Sequence, residues 1–360
     1  MVKSKPIISM DLSTTGVGGG PYTSTTRTIQ SNLVDKYEFR TINYKTEMGT
    51  GISITRIRDL ITQIKRINPD IVHYTGLQLS GFHMAVACKI AGVKNTVVTV
   101  RGFSGDAINF NFFKKVLLKY LLEPITLVLS KKVIGVSEYV VSRNVIKLLA
   151  KNKSIQIYNF PPNSTEVFIK NDVRNELEIS ENDILIVSVA RITTDKGYNV
   201  LDEAILHFKE HSNLKFLIVG DGDYIETMKK KLHTQTKQKS VIFLGFRKDI
   251  NKILSACDIF VLPTLHETLS VALLEASQAG LALIASNTGG VPEIVEDNYN
   301  GILVAPGSVD ELISAIEKLY SDETLRKYFG ENAKYKVGKK FSSMEIEQKL
   351  DLVYTSLLKK

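Results

Sequence analysis

Two cysteines in 360 residues are too few for a disulfide framework or a Cys-rich zinc site, which points to a reducing, cytoplasmic setting. The six histidines are scattered, and neither H-E-x-x-H nor C-x-x-C spacing occurs, so no metal site is expected. Asp221-Gly222-Asp223 reads as a turn and not as a pair of metal ligands. Long apolar runs are missing too. The most apolar segment, VLLKYLLEPITLVLS, is broken by Lys119, Glu123 and Pro124, short of the roughly 20 uninterrupted apolar residues of a membrane span. At the N-terminus MVKSKPIISMDLSTTG is interrupted by Asp11, and reads as a first strand and not as a signal peptide. Low-complexity tracts and short repeats are absent, so a soluble or peripheral globular protein is expected.

What is present fits that class. Hydrophobic residues make up 44% and charged residues 23%, which excludes global disorder and fibrous architectures. At roughly 100–200 residues per domain the length favours two domains. Short Val/Ile-rich runs recur, each followed by a helix-length segment: PIISM, DIVHY, NTVVTV, KKVIGV and SIQIY, then DILIVSVA, LKFLIVG, SVIFLG, DIFVLP and LALIAS. Continuous apolar runs are the mark of parallel strands covered on both faces, and their alternation with helices argues for doubly wound α/β domains. Between Phe160 and Asp183 the texture turns polar with paired prolines, reading as the connection between a domain over 1–165 and a second over 166–340. The closing segment 341–360 reads as a helix with Met344, Ile346, Leu350, Val353, Leu357 and Leu358 near one face.

Charge is unevenly placed. From Phe110 to Phe160 nine Lys/Arg face only Glu123 and Glu138, so this segment carries +7 of the net +8. A concentrated positive field suits an anionic partner such as a membrane surface. NFNFFKKVLLKYLLEP interleaves Phe and Leu with Lys114, Lys115 and Lys119, which fits either an interfacial helix on anionic headgroups or a core-facing helix with a lysine-bearing solvent face. No nucleic-acid-binding module occurs, and nucleic acid is not an expected partner.

The most informative stretch is PTLHETLSVALLEASQAG, residues 263–280. A strand ends at Pro263, a loop carries Glu267, and Ser270 is placed to cap a helix that holds Glu275 and ends near Gly280. Two carboxylates at this spacing can face one pocket, with a helix N-terminus suited to a phosphate between them. Two solvated glutamates near a helix start are the plainer alternative.

This E-x7-E spacing, followed by GGVPEIVEDNYNGILVAPGSVDEL at 289–312, resembles the retaining glycosyltransferases of family 4, of GT-B architecture. Further segments match in order: ARITTDKG with Arg191 and Lys196, VGDGDY at 219–224, LGFRKDI at 244–250 and the closing FSSMEIEQKL. The resemblance implies two Rossmann-like doubly wound domains facing across a cleft, with a C-terminal helix crossing back to the first domain. It implies an acceptor-binding first domain and a nucleotide-sugar donor in the second, with Glu275 on the donor ribose and Glu267 on the transferred sugar. Backbone groups of Leu269, Ser270 and Val271 would meet the phosphate or sugar, and Phe246 and Arg247 would lie beside the base. Arg191 and Lys196 follow a strand's C-terminal end, where open α/β sheets bind ligands. An Arg fork and a Lys point charge there can neutralise a departing diphosphate without metal. Glu267, Lys196 and Arg191 are the expected catalytic residues. Thr268, Leu269 and Ser270 replace the family's frequent Gly-Phe-Gly, leaving the donor sugar open.

In the first domain GVGGGPY at 16–22 reads as a tight turn, and the resemblance places it over the donor phosphates with Gly19 the leading residue. His73 ends a strand on the side expected to face the cleft, as a hydrogen-bonded structural residue or a catalytic one, and His83 reads as structural. Where family members carry T-x-H-G, this chain reads TVRGFSGD, so Arg101 replaces that histidine. An arginine stays charged and is no general base, but it can bind an anionic acceptor or the donor phosphate. Asp106 is a nearby carboxylate without an assigned role. The expected reaction moves a sugar, from a uridine-linked donor, to a hydroxyl of a glycan or lipid-linked acceptor in cell-surface polysaccharide or glycolipid synthesis. Two rivals stand: an acceptor-independent sugar-nucleotide epimerase or hydrolase of the same architecture, and a non-catalytic nucleotide-binding scaffold. Frequent Lys, Asn and Ile fit a bacterial source with an AT-rich genome.

Overall fold

The computed structural model describes residues 4–13, 19–44, 51–106, 111–162 and 170–359. The chain divides into two compact units, Met1–Phe160 with Ser343–Lys360, and Pro161–Ser342. The first holds a parallel six-stranded sheet of β1 (Ile7–Ser13), β2 (Glu38–Tyr44), β3 (Ile71–Thr75), β4 (Thr96–Val100), β5 (Lys132–Gly135) and β6 (Ser154–Gln156), ordered β2-β1-β3-β4-β5-β6. The second holds β7 (Ile184–Val189), β8 (Leu214–Val219), β9 (Val241–Gly245), β10 (Ile259–Leu262), β11 (Ala282–Ser286) and β12 (Gly301–Val304), parallel and ordered β12-β11-β10-β7-β8-β9. Both are doubly wound, Rossmann-like sheets.

The central strands are the continuous apolar runs of the sequence. Every residue of β4, β10 and β11 is buried, as expected where helices cover both faces. The two strands that the apolar runs do not announce, β2 and β12, lie at sheet edges. In β2 the sequence EFRTINY alternates because one face meets solvent, and β12 is only GILV. The other two edge strands, β6 and β9, do carry apolar runs, so it is the alternation of β2 and the shortness of β12 that hide them.

The polar connection also contains more than a linker. A helix, Lys170–Glu176, sits inside it. It is anchored by one side chain: Arg174, 2% exposed, donates to the carbonyls of Ala256, Ser180 and Asp183 and to the Asp258 carboxylate at 2.8–3.0 Å. Seven residues held by a guanidinium show no apolar period.

The closing helix, Ser343–Leu358, belongs to the first unit. Ile346, Leu350, Val353 and Tyr354 join the core built on Ile8, Met10, Ile71 and Val97. Its polar edge is tied down by Tyr37, whose hydroxyl donates to Asp351 at 2.7 Å, and by Glu347, which accepts from the Asn32 N–H at 3.0 Å.

Candidate active site

In the second unit the strand order runs 3-2-1-4-5-6 when counted from β7, so the winding reverses between β7 and β10. The crevice beyond the carboxyl ends of the strands at such a point is where open α/β sheets hold ligands. Four loops leave the sheet near it and are stitched together by backbone bonds. The Ile192 N–H donates to Asp221 O, Leu265 N–H to Asp195 O, and Gly290 N–H to Glu267 O, all at 3.0–3.1 Å. The loops after β7, β8, β10 and β11 therefore form one platform.

On that platform Lys196 and Glu267, 71 positions apart in sequence, meet. Lys196 Nζ donates to Glu267 Oε2 at 3.0 Å, and the Thr268 N–H donates to Oε1 at 3.0 Å. Their side chains are 14% and 16% exposed. Burial alone would raise the Glu267 carboxyl, but the Lys196 charge, its hydrogen bond and the Thr268 N–H together hold it below the usual carboxylate range. The pair is a fixed, charged element with one edge open to a ligand.

The helix after Glu267 runs Val271–Ala279, capped by Ser270, whose hydroxyl accepts the Leu273 N–H at 3.1 Å. It ends at Gly280 with φ +80°. Its positive dipole end thus lies at the loop that carries Glu267. Glu275 is 8% exposed on the same helix. Ser270→Ala should lower stability by about 1 kcal/mol, read as a lower thermal midpoint, because the cap is lost.

The other expected donor-side residues are less convergent. Arg191 is exposed and lies 3.9 Å from Asp195. Asp195 was not singled out from the sequence, although it stands within TTDKG. The His266 imidazole, 3.6 Å away, is the largest influence that, against the cost of burial, keeps the Asp195 carboxyl well below the usual range. Phe246 is half exposed after β9. Arg247 is taken up by acids, with Nε and Nη2 donating to Asp249 at 2.8 and 2.7 Å and a longer contact to Glu176. Its guanidinium fixes the loop and does not meet the Lys196–Glu267 pair.

In the first unit the winding reverses between β1 and β3. Gly19 is the N-cap residue of the helix Gly20–Ile29, with φ −74°, a value open to any residue. Residues 16–18 of the glycine loop lie outside the described residues. His73 is buried; Nδ1 bonds the Tyr354 hydroxyl and Nε2 the Thr99 hydroxyl, both at 2.7 Å. Burial, with Arg101 near, pushes its imidazole down to about 3, so it is neutral. Arg101 bonds the Asn159 amide oxygen, and both His73 and Arg101 line a cavity of about 20 Å³, room for a single water. Asp11 is the residue missed here. It is 4% exposed, and burial pushes it up to about 7 against hydrogen bonds from Thr75 and the Arg101 charge. An acid inside an otherwise apolar strand run was the available signal. His83 is buried, its Nε2 accepting the Ser53 N–H at 3.0 Å. Asp106 pairs with Arg143 at 2.7 Å. Among the described residues no group of three or more His, Cys, Asp or Glu forms a metal-ligand set, and no helix is long and apolar enough to cross a membrane.

Comparison with known proteins agrees with this fold. Residues 169–336 match the family model for glycosyl transferases group 1, and residues 23–132 match the model for glycosyl transferase 4-like domains. The chain is 27% identical over 330 residues to the UDP-Gal:alpha-D-GlcNAc-diphosphoundecaprenol alpha-1,3-galactosyltransferase of Escherichia coli, covering 89% of this chain and 82% of that one. It is 26% identical to the capsular polysaccharide biosynthesis glycosyltransferase CapM of Staphylococcus aureus, over 88% of this chain and 85% of that one. In fold it is similar to Anabaena HepE in complex with UDP-glucose, with a TM-score of 0.81 at 19% identity, over 98% of this chain and 100% of that one.

Proposed function

The chain belongs to the group 1 glycosyl transferases, with the family-4 type of GT-B fold, and from that premise we propose a retaining enzyme that takes its sugar from a uridine diphosphate donor. The acceptor is a hydroxyl of a glycan or lipid-linked glycan in cell-surface polysaccharide or glycolipid synthesis. The uridine donor is supported by the relatives that use or bind UDP-sugars, and the acceptor class by the diphosphoundecaprenol and capsular relatives. Cys88 and Cys257 are both buried thiols outside a disulfide, in keeping with a reducing, cytoplasmic setting.

The observation that carries the reading is the Lys196–Glu267 pair at the reversal point of the second sheet. Both carboxylate oxygens of Glu267 are engaged, one by Lys196 and one by the Thr268 N–H, which makes it an orienting acceptor for sugar hydroxyls and a poor nucleophile. In the proposed reaction the bond from the anomeric carbon to the phosphate oxygen breaks, and the acceptor oxygen bonds the same face. The acceptor proton passes to the departing phosphate. Lys196 and the helix start at Val271 meet the charge that grows on the diphosphate, with Arg191 an exposed cation earlier on the same loop, so divalent metal is not required. Glu275 takes the ribose hydroxyls, and Leu269, Ser270 and Val271 border the phosphate and sugar. Phe246 borders the base, on a loop that Arg247 holds. In the first unit Arg101 is suited to an anionic group of the acceptor, and His73, in the middle of β3, ties that strand to Thr99 of β4 and to Tyr354 of the closing helix.

A thermal-shift screen of uridine, guanosine and adenosine diphosphates and their sugar conjugates, with and without magnesium, tests the donor. UDP at about 100 times its dissociation constant should add roughly 2.7 kcal/mol of stability. The shift should be independent of magnesium and lost in Glu275→Ala. A response to guanosine or adenosine diphosphate alone overturns the uridine assignment. Acceptor-dependent release of UDP separates transfer from epimerisation, hydrolysis and a scaffold.

A further inference from the structure

In the first unit one helix is apolar on more faces than the core takes. It runs as α-helix from Phe112 to Leu117, widens to a π-helical turn over Leu118–Leu122, and returns to α-helix over Glu123–Leu129. Leu118 and Leu122 are buried against Phe82. The remaining large apolar residues come in adjacent pairs four positions apart, Phe112/Phe113, Val116/Leu117 and Tyr120/Leu121, and all are 38–83% exposed. In an unbroken α-helix a stripe with a four-residue step drifts by about 40° per step. A π turn holds more residues per turn and opposes that drift, so the pairs stay together as one ridge.

We propose that this ridge docks on the surface of an anionic lipid bilayer. Six large apolar side chains in one patch exceed the scattered exposure normal for a soluble surface. Lys114, Lys115 and Lys119 are interleaved with them, and residues 111–122 contain no acid. The acid that follows, Glu123, is buried and accepts the Ser104 N–H at 2.6 Å, so it does not offset the field. Apolar residues flanked by lysines suit the boundary between acyl chains and anionic headgroups. A second copy of the chain is disfavoured as the occupant, because two such ridges would bring like charges together. The ridge belongs to the first unit and the donor platform to the second, and the proposal does not rest on the transferase reading.

The test uses the full chain and phosphatidylcholine vesicles with and without phosphatidylglycerol. The sequence has no tryptophan, so Phe113→Trp places a single indole on the ridge. Its emission should move to the blue with phosphatidylglycerol vesicles only, and the protein should float with them. The combined Lys114→Gln, Lys115→Gln, Lys119→Gln variant should lose on the order of 100-fold in partition coefficient, and added salt should weaken binding of the native chain. Phe112→Ser with Phe113→Ser should abolish flotation while leaving the thermal midpoint unchanged, since both rings are exposed. Failure of the native chain to float with anionic vesicles overturns the proposal, as does equal flotation of the serine variant. A native dimer that the serine substitutions break would overturn it in favour of a second copy on the ridge.

Discussion

Lys196→Ala should lower turnover by about 100- to 1,000-fold in an assay of acceptor-dependent nucleotide diphosphate release, the usual scale for removing one preorganised group from a developing anion. The ammonium is mostly withdrawn from solvent, 3.0 Å from Glu267, and placed after β7 where the departing diphosphate is expected. Its interaction is stronger there than at the surface, because little water screens it. The loss should fall mainly on kcat, since the charge it meets grows as the bond breaks. Arginine is not a conservative replacement, because the planar fork cannot reproduce a point charge held against one carboxylate oxygen. A second signature lies in pH dependence. Glu267 is held below its ordinary value of 4.5, so the stability from this pair is present above that value and is lost as pH falls through the folded one. In Lys196→Ala both Lys196 contributions that lower the Glu267 carboxyl are gone while burial still raises it, so that acid-side loss should disappear, seen as a flatter thermal midpoint as pH falls below 4.5. Unchanged turnover would remove Lys196 from the mechanism.

The pair also marks how far the sequence could be read. Both partners were visible, Lys196 in TTDKG and Glu267 in HETLS, because each follows an apolar run that ends a strand. Their meeting was not, since it depends on β7 and β10 becoming neighbours although the two residues are 71 positions apart. Arg247 shows the reverse case. Its place in LGFRKDI was clear, but its engagement is decided by Asp249 beside it and by Glu176 from a helix that the polar connection concealed. Interior strands were legible because burial on both faces writes a continuous apolar run. β2 and β12 were not, because β2 alternates between solvent and core and β12 is only four residues long. Asp11 was seen only as an interruption in a signal-like segment. Its weakened acidity comes from burial, only partly offset by Thr75 at the end of β3 and Arg101 just past β4, which the fold brings beside it.

Gly289→Ala should be the most damaging single methyl group in the second unit. Gly289 has φ +55°, a left-handed backbone that costs a side-chain-bearing residue about 1 kcal/mol. A Cβ there would stand 1.7 Å from the carbonyl oxygen of Glu267, with that residue's carbonyl carbon at 2.9 Å. The obstruction is backbone, so no rotamer relieves it. Either the loop after β11 or the loop carrying Glu267 must move by more than 1 Å, a displacement able to cost about 100-fold in rate where orientation matters. The move also breaks the bond from the Gly290 N–H to Glu267 O at 3.1 Å. Together these effects should cost about 3 kcal/mol of stability. Gly338→Ala is the matched control: it lies in the helix Glu323–Lys340 with nothing within 4 Å of an added Cβ. There the same methyl group should stabilise by about 0.5–1 kcal/mol through helix propensity alone. Thermal unfolding of the two variants separates crowding from the general effect of replacing glycine. Turnover then separates a general loss of fold from a displaced Glu267. At a temperature where Gly289→Ala is fully folded, its kcat should still be about 100-fold low, whereas native turnover there would mean that the position of the Glu267 backbone does not govern catalysis.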